Sequence, residues 1–253
     1  MKIELNDNER IDDLEYKGLK IIQNKEWFCF GIDSVLLSDF AKNLKNNSKV
    51  LDLGCGNGIL ELLLCGKTSL NKIVGVEIQK TVCELAQRNI KYNNLEDRAQ
   101  ILNEDIKNLC KIYNESSFDV IVTNPPYMKN GRGAKNEVET KIIARHELMC
   151  DLEDVIRVSF KVLKDKGEFY MVHRANRICD ILYLMRKYKI EPKIIRFVQS
   201  KIDREPNLIL IKGIKNAGEF LKIEKNLIIY KEDGNYTDEI LEIYNLKGKK
   251  DEG

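Results

Sequence analysis

The sequence predicts an α/β protein built on an open, mostly parallel seven-stranded sheet with one antiparallel edge strand. Short runs of aliphatic and β-branched residues alternate with longer segments of helical period from residue 49 to residue 188. Such alternation places helices on both faces of a parallel sheet. Two further apolar runs, 194–199 and 208–212, leave no room for a helix between them, so they are expected to form an antiparallel hairpin at the sheet edge.

In order, residues 49–53 read as a buried strand, 59–66 as a helix, 73–77 as a second strand and 81–92 as an amphipathic helix. Residues 99–102 and 118–123 read as the third and fourth strands, 152–163 as a helix, 167–173 as the fifth strand and 177–188 as a helix. Ahead of them, Asp33 and Ser34 offer an N-cap to an apolar helix running to Ala41, a flank or lid on the first strand. After residue 222 there is one apolar run, 227–230, and then charged residues with a frayed end at 247–253. The expected organisation is an N-terminal flank 1–48, a core 49–215 and a C-terminal extension 216–253.

Composition narrows the class. With 253 residues, 43% hydrophobic and 32% charged, the chain can bury one substantial core. The N-terminus is too polar for a secretory signal and no apolar stretch reaches membrane-spanning length, so a soluble cytoplasmic protein without a membrane partner is expected. Its 7 cysteines form no Cys-x-x-Cys pair and fall in apolar segments, which argues against a disulfide scaffold and against a metal cluster. Net charge is only +2, although residues 186–215 hold nine basic against three acidic side chains. That local excess suits either a phosphate backbone or a solvated surface.

The first strand runs into Asp52-Leu53-Gly54-Cys55-Gly56-Asn57-Gly58, a strand-to-helix turn whose glycines let a ligand approach the backbone. The spacing differs from the Gly-x-Gly-x-x-Gly dinucleotide fingerprint, which argues against a nicotinamide-dependent oxidoreductase. Glu77, at the carboxyl end of the second strand, is placed to accept hydrogens from both hydroxyls of a ribose. After the third strand, Asp105 suits either an exocyclic amino group of a bound adenine, with Ile106 over the ring, or the N-cap of the next helix.

The fourth strand ends in Asn124-Pro125-Pro126-Tyr127. Two prolines hold the backbone stiff after an asparagine that cannot continue as helix. The corner is either a simple strand stop or a clamp in which the Asn124 oxygen and a backbone carbonyl accept from a planar NH2 while Tyr127 stacks on it. If the strand order is 3-2-1-4, this corner faces the glycine turn across one crevice at the switch point of the sheet.

With Gly-x-Gly-x-Gly and Asn-Pro-Pro-Tyr together, the chain resembles class I S-adenosylmethionine-dependent methyltransferases that act on amino groups, which have a Rossmann-like methyltransferase sheet. Within that class it is similar to the bacterial adenine-N6 methyltransferases of valine tRNA, which modify the adenine beside the anticodon. The likeness runs from about Leu14 to Tyr230 and includes residues 18–23, 33–37, 74–79, 144–147 and 184–188. It implies S-adenosylmethionine as cofactor and tRNA as substrate. It also implies a cofactor-binding set of Asp33, Asp52, Gly54, Gly56, Asn57, Gly58, Glu77, Ile78, Asp105, Ile106 and Asn124, with Asn124, Pro125, Pro126 and Tyr127 at the target amine.

Methyl transfer to such an amine needs positioning more than a base, because the proton becomes acidic only after attack. His146 and His173 read as structural histidines, and the loop 129–135, basic and glycine-rich, is expected to fold over RNA. A glutamine N5-methyltransferase is the nearest rival, disfavoured by only 48 residues ahead of the first strand. A DNA adenine methyltransferase is disfavoured by the lack of a target-recognition domain. A non-catalytic cofactor-binding RNA module is disfavoured by an intact Asn124 and Tyr127.

Overall fold

The computed structural model describes residues 4–27, 31–125 and 151–246. It begins with an antiparallel hairpin, β1 (Glu9–Asp13) and β2 (Lys20–Asn24). Helix α1 (Ile32–Phe40) follows, and the alternating core then starts with β3 (Lys49–Leu53), α2 (Ile59–Lys67), β4 (Lys72–Glu77), α3 (Lys80–Tyr92) and β5 (Ala99–Asn103). A 3-10 turn (Ile106–Asn108) leads into the short α4 (Leu109–Ile112) and then β6 (Phe118–Thr123). Beyond residue 150 come α5 (Leu152–Val162), β7 (Leu163–Arg174), α6 (Ile178–Lys187), β8 (Ile190–Gln199) and β9 (Leu208–Lys215). The chain closes with β10 (Lys222–Ile223), β11 (Leu227–Ile228) and α7 (Asp238–Ile243).

Among the described residues the main sheet has nine strands in the order β10-β8-β9-β7-β6-β3-β4-β5, with β11 also on β8. The segment β5-β4-β3-β6 is the expected 3-2-1-4 order. β3 and β6 are direct neighbours, with Leu51 opposite Ile121. Strands β3 and β4 are buried on both faces, as parallel strands under two helical layers must be. Val50 points to the α1–α2–α3 layer, whereas Leu51 and Leu53 point to the layer of α5 and α6.

Two expectations need correction. The reversed strand, β9, is antiparallel to both β7 and β8 and lies between them, so it is an interior strand and not the edge. Outside it, β8 gains two short parallel partners, β10 and β11, which raises the strand count from seven to nine. β8 also starts four residues earlier than the sequence pattern suggests. Pro192 sits inside it at a register shift between Pro192 and Ile194, where a residue without an N–H is tolerated.

The N-terminal hairpin is fastened to α3 by three side chains, with Arg88 bonding Glu9, Asn93 bonding the backbone of Lys20, and Asn89 bonding that of Ile22. Asn89 of α3 is fully buried, accepts from Ile22 N at 2.7 Å through Oδ1, and donates through Nδ2 to Ile22 O at 3.1 Å and Asn57 O at 2.9 Å. Asn89→Ala leaves those backbone groups without partners in a dry site and is expected to cost about 2–4 kcal/mol, read as a fall in the denaturant midpoint at constant m. One apolar cluster runs from Leu14 through the core to Ile243, crossing residues 48/49 and 215/216.

Candidate functional site

The carboxyl ends of β3, β4, β5 and β6 form one rim, and the glycine turn lies at its centre. Gly54 and Gly56 take left-handed φ values of 80° and 55°, and a Cβ on either meets nothing within 4 Å. The backbone there is open to a ligand on the side a side chain would cover. The turn is held from behind, where Gly54 N and Cys55 N both donate to Val76 O at 3.0 Å. Gly58, also left-handed, caps α2 and packs against Ala86 of α3. Asn57 is tied through its carbonyl to Asn89.

Glu77 ends β4 and is nearly fully buried. Its Oε2 accepts from Gly56 N at 3.2 Å and its Oε1 from Gln79 N at 2.8 Å. One carboxylate thereby fixes both the glycine turn and the half-buried Ile78 that follows it. Asn103 of β5 donates to the carbonyls of Glu77 and Ile78 at 2.9 and 3.0 Å, locking neighbouring strand ends. Next along the rim, Asp105 caps the 3-10 turn by accepting from Lys107 N at 2.9 Å, and Ile106 is buried beside it. The capping reading of Asp105 is therefore realised, on the rim that also holds Glu77.

Across the crevice, Thr123 donates from Oγ1 to Leu53 O at 2.8 Å, which joins the ends of β6 and β3. Asn124 follows, half-buried, and its Nδ2 donates to Ser34 Oγ at 3.0 Å. That bond anchors the carboxamide to α1. Ser34 is buried in the first turn of α1 beside Asp33, so the N-terminal flank meets the Asn124 corner directly. Pro125 is buried. Pro126, Tyr127, His146 and the loop 129–135 lie outside the described residues.

Asp52 stands apart from the other expected cofactor residues. It is fully buried under the turn and faces α2, where Glu61, a residue the sequence reading passed over, is buried with it. The signal for Glu61 was a single acid inside the apolar run Ile59-Leu60-Glu61-Leu62-Leu63-Leu64. His173 is buried in β7, its Nδ1 accepts from Arg174 N at 2.8 Å, and burial with the Arg177 charge pulls it down to about 4. It stays neutral and structural at physiological pH. Among the described residues no group of three His, Cys, Asp or Glu is arranged to hold a metal ion, and no helix is long and apolar enough to cross a membrane.

Comparison with known proteins agrees with this geometry. The family model of the methyltransferase small domain matches residues 31–188. The chain is 28% identical over 234 residues to the tRNA1(Val) (adenine(37)-N6)-methyltransferase of Haemophilus influenzae, covering 90% of this chain and 94% of that protein. It is 27% identical to the protein of the same name from Porphyromonas gingivalis, over 92% of this chain and 93% of the relative. In structure it is similar to a predicted O-methyltransferase of Agrobacterium tumefaciens, with a TM-score of 0.68 at 16% identity over 84% of this chain and 95% of the other. It is also similar to TYW2 of P. horikoshii in complex with MeSAdo, with a TM-score of 0.58 at 14% identity over 84% and 73%. A match spanning the flank helix, the glycine turn and the Asn124 corner places the chain in the methyltransferase small domain family.

Proposed function

We propose that this chain transfers the methyl group of S-adenosylmethionine to the exocyclic amino group of an adenine in tRNA, the one beside the anticodon of valine tRNA. The observation that carries this reading is Asn124, held by Ser34 at the end of β6 across the crevice from the open backbone of Gly54 and Gly56. The substrate follows from the similarity to the valine-tRNA enzymes over nine-tenths of the chain.

The residues present suit the cofactor. Gly54 and Gly56 leave the bare backbone that a methionine moiety needs, and Glu77 supplies a fixed carboxylate for a ribose diol. Asp105 and Ile106 offer an acceptor and an apolar cover for an adenine, with Asp33 on the flank. When bound, S-adenosylmethionine supplies an electrophilic methyl group on a sulfonium.

The chain does the positioning. An exocyclic amine shares its lone pair with the purine ring and is a poor nucleophile. Hydrogen bonds from that NH2 to Asn124 Oδ1 and the Pro125 carbonyl draw the nitrogen toward a tetrahedral shape and aim its lone pair across the crevice. The family likeness assigns Pro126 and Tyr127 to the same target amine, on a base that an unpaired loop gives up readily.

Incubation with labelled cofactor and unmodified total tRNA, followed by mass identification of the methylated nucleoside, tests the reading. N6-methyladenosine in valine tRNA is the expected product, and label on protein instead would overturn it in favour of glutamine methylation. Glu77→Ala is expected to weaken cofactor binding by about 10- to 100-fold in calorimetry, the worth of roughly 1.5–3 kcal/mol for hydrogen bonds to a charged group.

A further inference from the structure

Two carboxyl groups lie beneath the glycine turn with no cation to meet them among the described residues. Asp52 on β3 is in register with Gly75 on β4, so both positions face the same side of the sheet, toward α2. Glu61 of α2 fills the space above Gly75, where an added Cβ stands 2.2 Å from Glu61 Oε1 and 2.9 Å from Cys55 Cβ and Sγ. The two carboxyls therefore meet over the β3–β4 pair. Both are fully buried, and none of their four oxygens has a hydrogen-bond partner outside the pair among the described residues.

The groups that bear on the pair are acidic or neutral. Glu77 stands at the end of β4, Cys55 in the turn and Cys65 on α2. The nearby Arg98 donates to the carbonyls of Cys65, Thr68 and Leu70. Two ionised carboxylates in a dry site without a counter-charge are untenable, whereas one proton between them makes a strong O–H···O⁻ hydrogen bond. Burial pushes both groups above the ordinary carboxylate range, Glu61 to about 8.

We propose that Glu61 is a positioning residue of the cofactor site, hydrogen-bonded to Asp52 through a proton held within the pair, which ties α2 to β3 directly behind the Gly54–Gly58 turn. The proposal rests on the reading of that turn as the cofactor's seat. β3 leads into the turn and α2 leads out, so the shared proton closes its two ends. Between the ordinary carboxylate range and about pH 8 the folded chain holds protons that the unfolded chain has released. Stability from the pair is thus present at low pH and lost as pH rises through that value.

Thermal melting of the unliganded chain and calorimetric S-adenosylmethionine binding, each followed from about pH 6.5 to 9.5, test this on wild type, Glu61→Gln and Glu61→Leu. Wild type is expected to lose melting temperature and at least about fivefold in affinity across that range. Glu61→Gln, whose amide donates to Asp52 at every pH, is expected to give flat profiles for both. Glu61→Leu is expected to bind about tenfold more weakly than Glu61→Gln at neutral pH, since it removes a hydrogen bond to a charged group. Superimposable pH profiles for wild type and Glu61→Gln would overturn the proposal, as would wild-type affinity in Glu61→Leu. If Glu61→Leu does not fold, the comparison of wild type with Glu61→Gln decides. Absence of cofactor binding by wild type at any pH refutes the cofactor reading instead, and the melting profiles still decide the shared proton.

Discussion

Asn124→Ala is expected to lower methyl transfer to tRNA by at least about 10²-fold while S-adenosylmethionine binding persists, because the variant loses alignment of the amine and little else. The carboxamide makes its recorded bond to Ser34 Oγ at 3.0 Å, on the opposite side of the crevice from the glycine turn. Cutting it back to a methyl group removes an acceptor for the target NH2 and leaves the Gly56–Glu77 contact in place. Single-turnover transfer measured beside calorimetric cofactor binding separates the two effects. Near wild-type turnover in this variant would remove Asn124 from the reaction.

The second large effect is one of fold. Gly75→Ala is expected to destabilise the chain by about 1–3 kcal/mol, a drop of a few to about 10 °C in Tm. Gly75 lies in the buried strand β4, and a methyl group there meets Glu61 Oε1 at 2.2 Å and Cys55 at 2.9 Å. Neither neighbour can swing away, since both are enclosed between α2 and the sheet. Glu61→Ala in the same chain makes room on one side, so the double variant is expected to lose less than the sum of the singles. Additive losses would place the clash elsewhere.

Much of the site was legible because its parts obey local rules. Val50-Leu51-Asp52-Leu53 reads as a buried strand, and the glycines at 54, 56 and 58 mark the turn after it without reference to anything distant. The pairing of β3 with β6 followed from the order of the elements, and it turned Gly54 and Asn124 into two sides of one crevice. Other features depend on partners that periodicity does not encode. β9 was recognised as a strand and correctly paired antiparallel with β8, but its place inside the sheet beside β7 was missed, because a hairpin at the edge and one inserted beside β7 have the same local pattern. The β1–β2 hairpin escaped notice because Glu9-Arg10-Ile11-Asp12-Asp13 is too polar to signal a strand. Glu61 was passed over because nothing local shows that its helix is buried on nearly all sides.

The two short strands added to β8 bear on how the chain keeps its own company. β8 is ten residues long, and without neighbours its outer side is a row of bare N–H and C=O groups. β10 covers it at Ile194 and Ile195, and β11 at Val198 and Gln199. Between them, the Arg196 guanidinium donates to Lys225 O at 3.0 Å and reaches Glu239 on α7. The C-terminal segment thus acts as a guard rail along the sheet, occupying sites where a second chain, at the concentrations of a crowded cell, would otherwise add a strand and begin to aggregate.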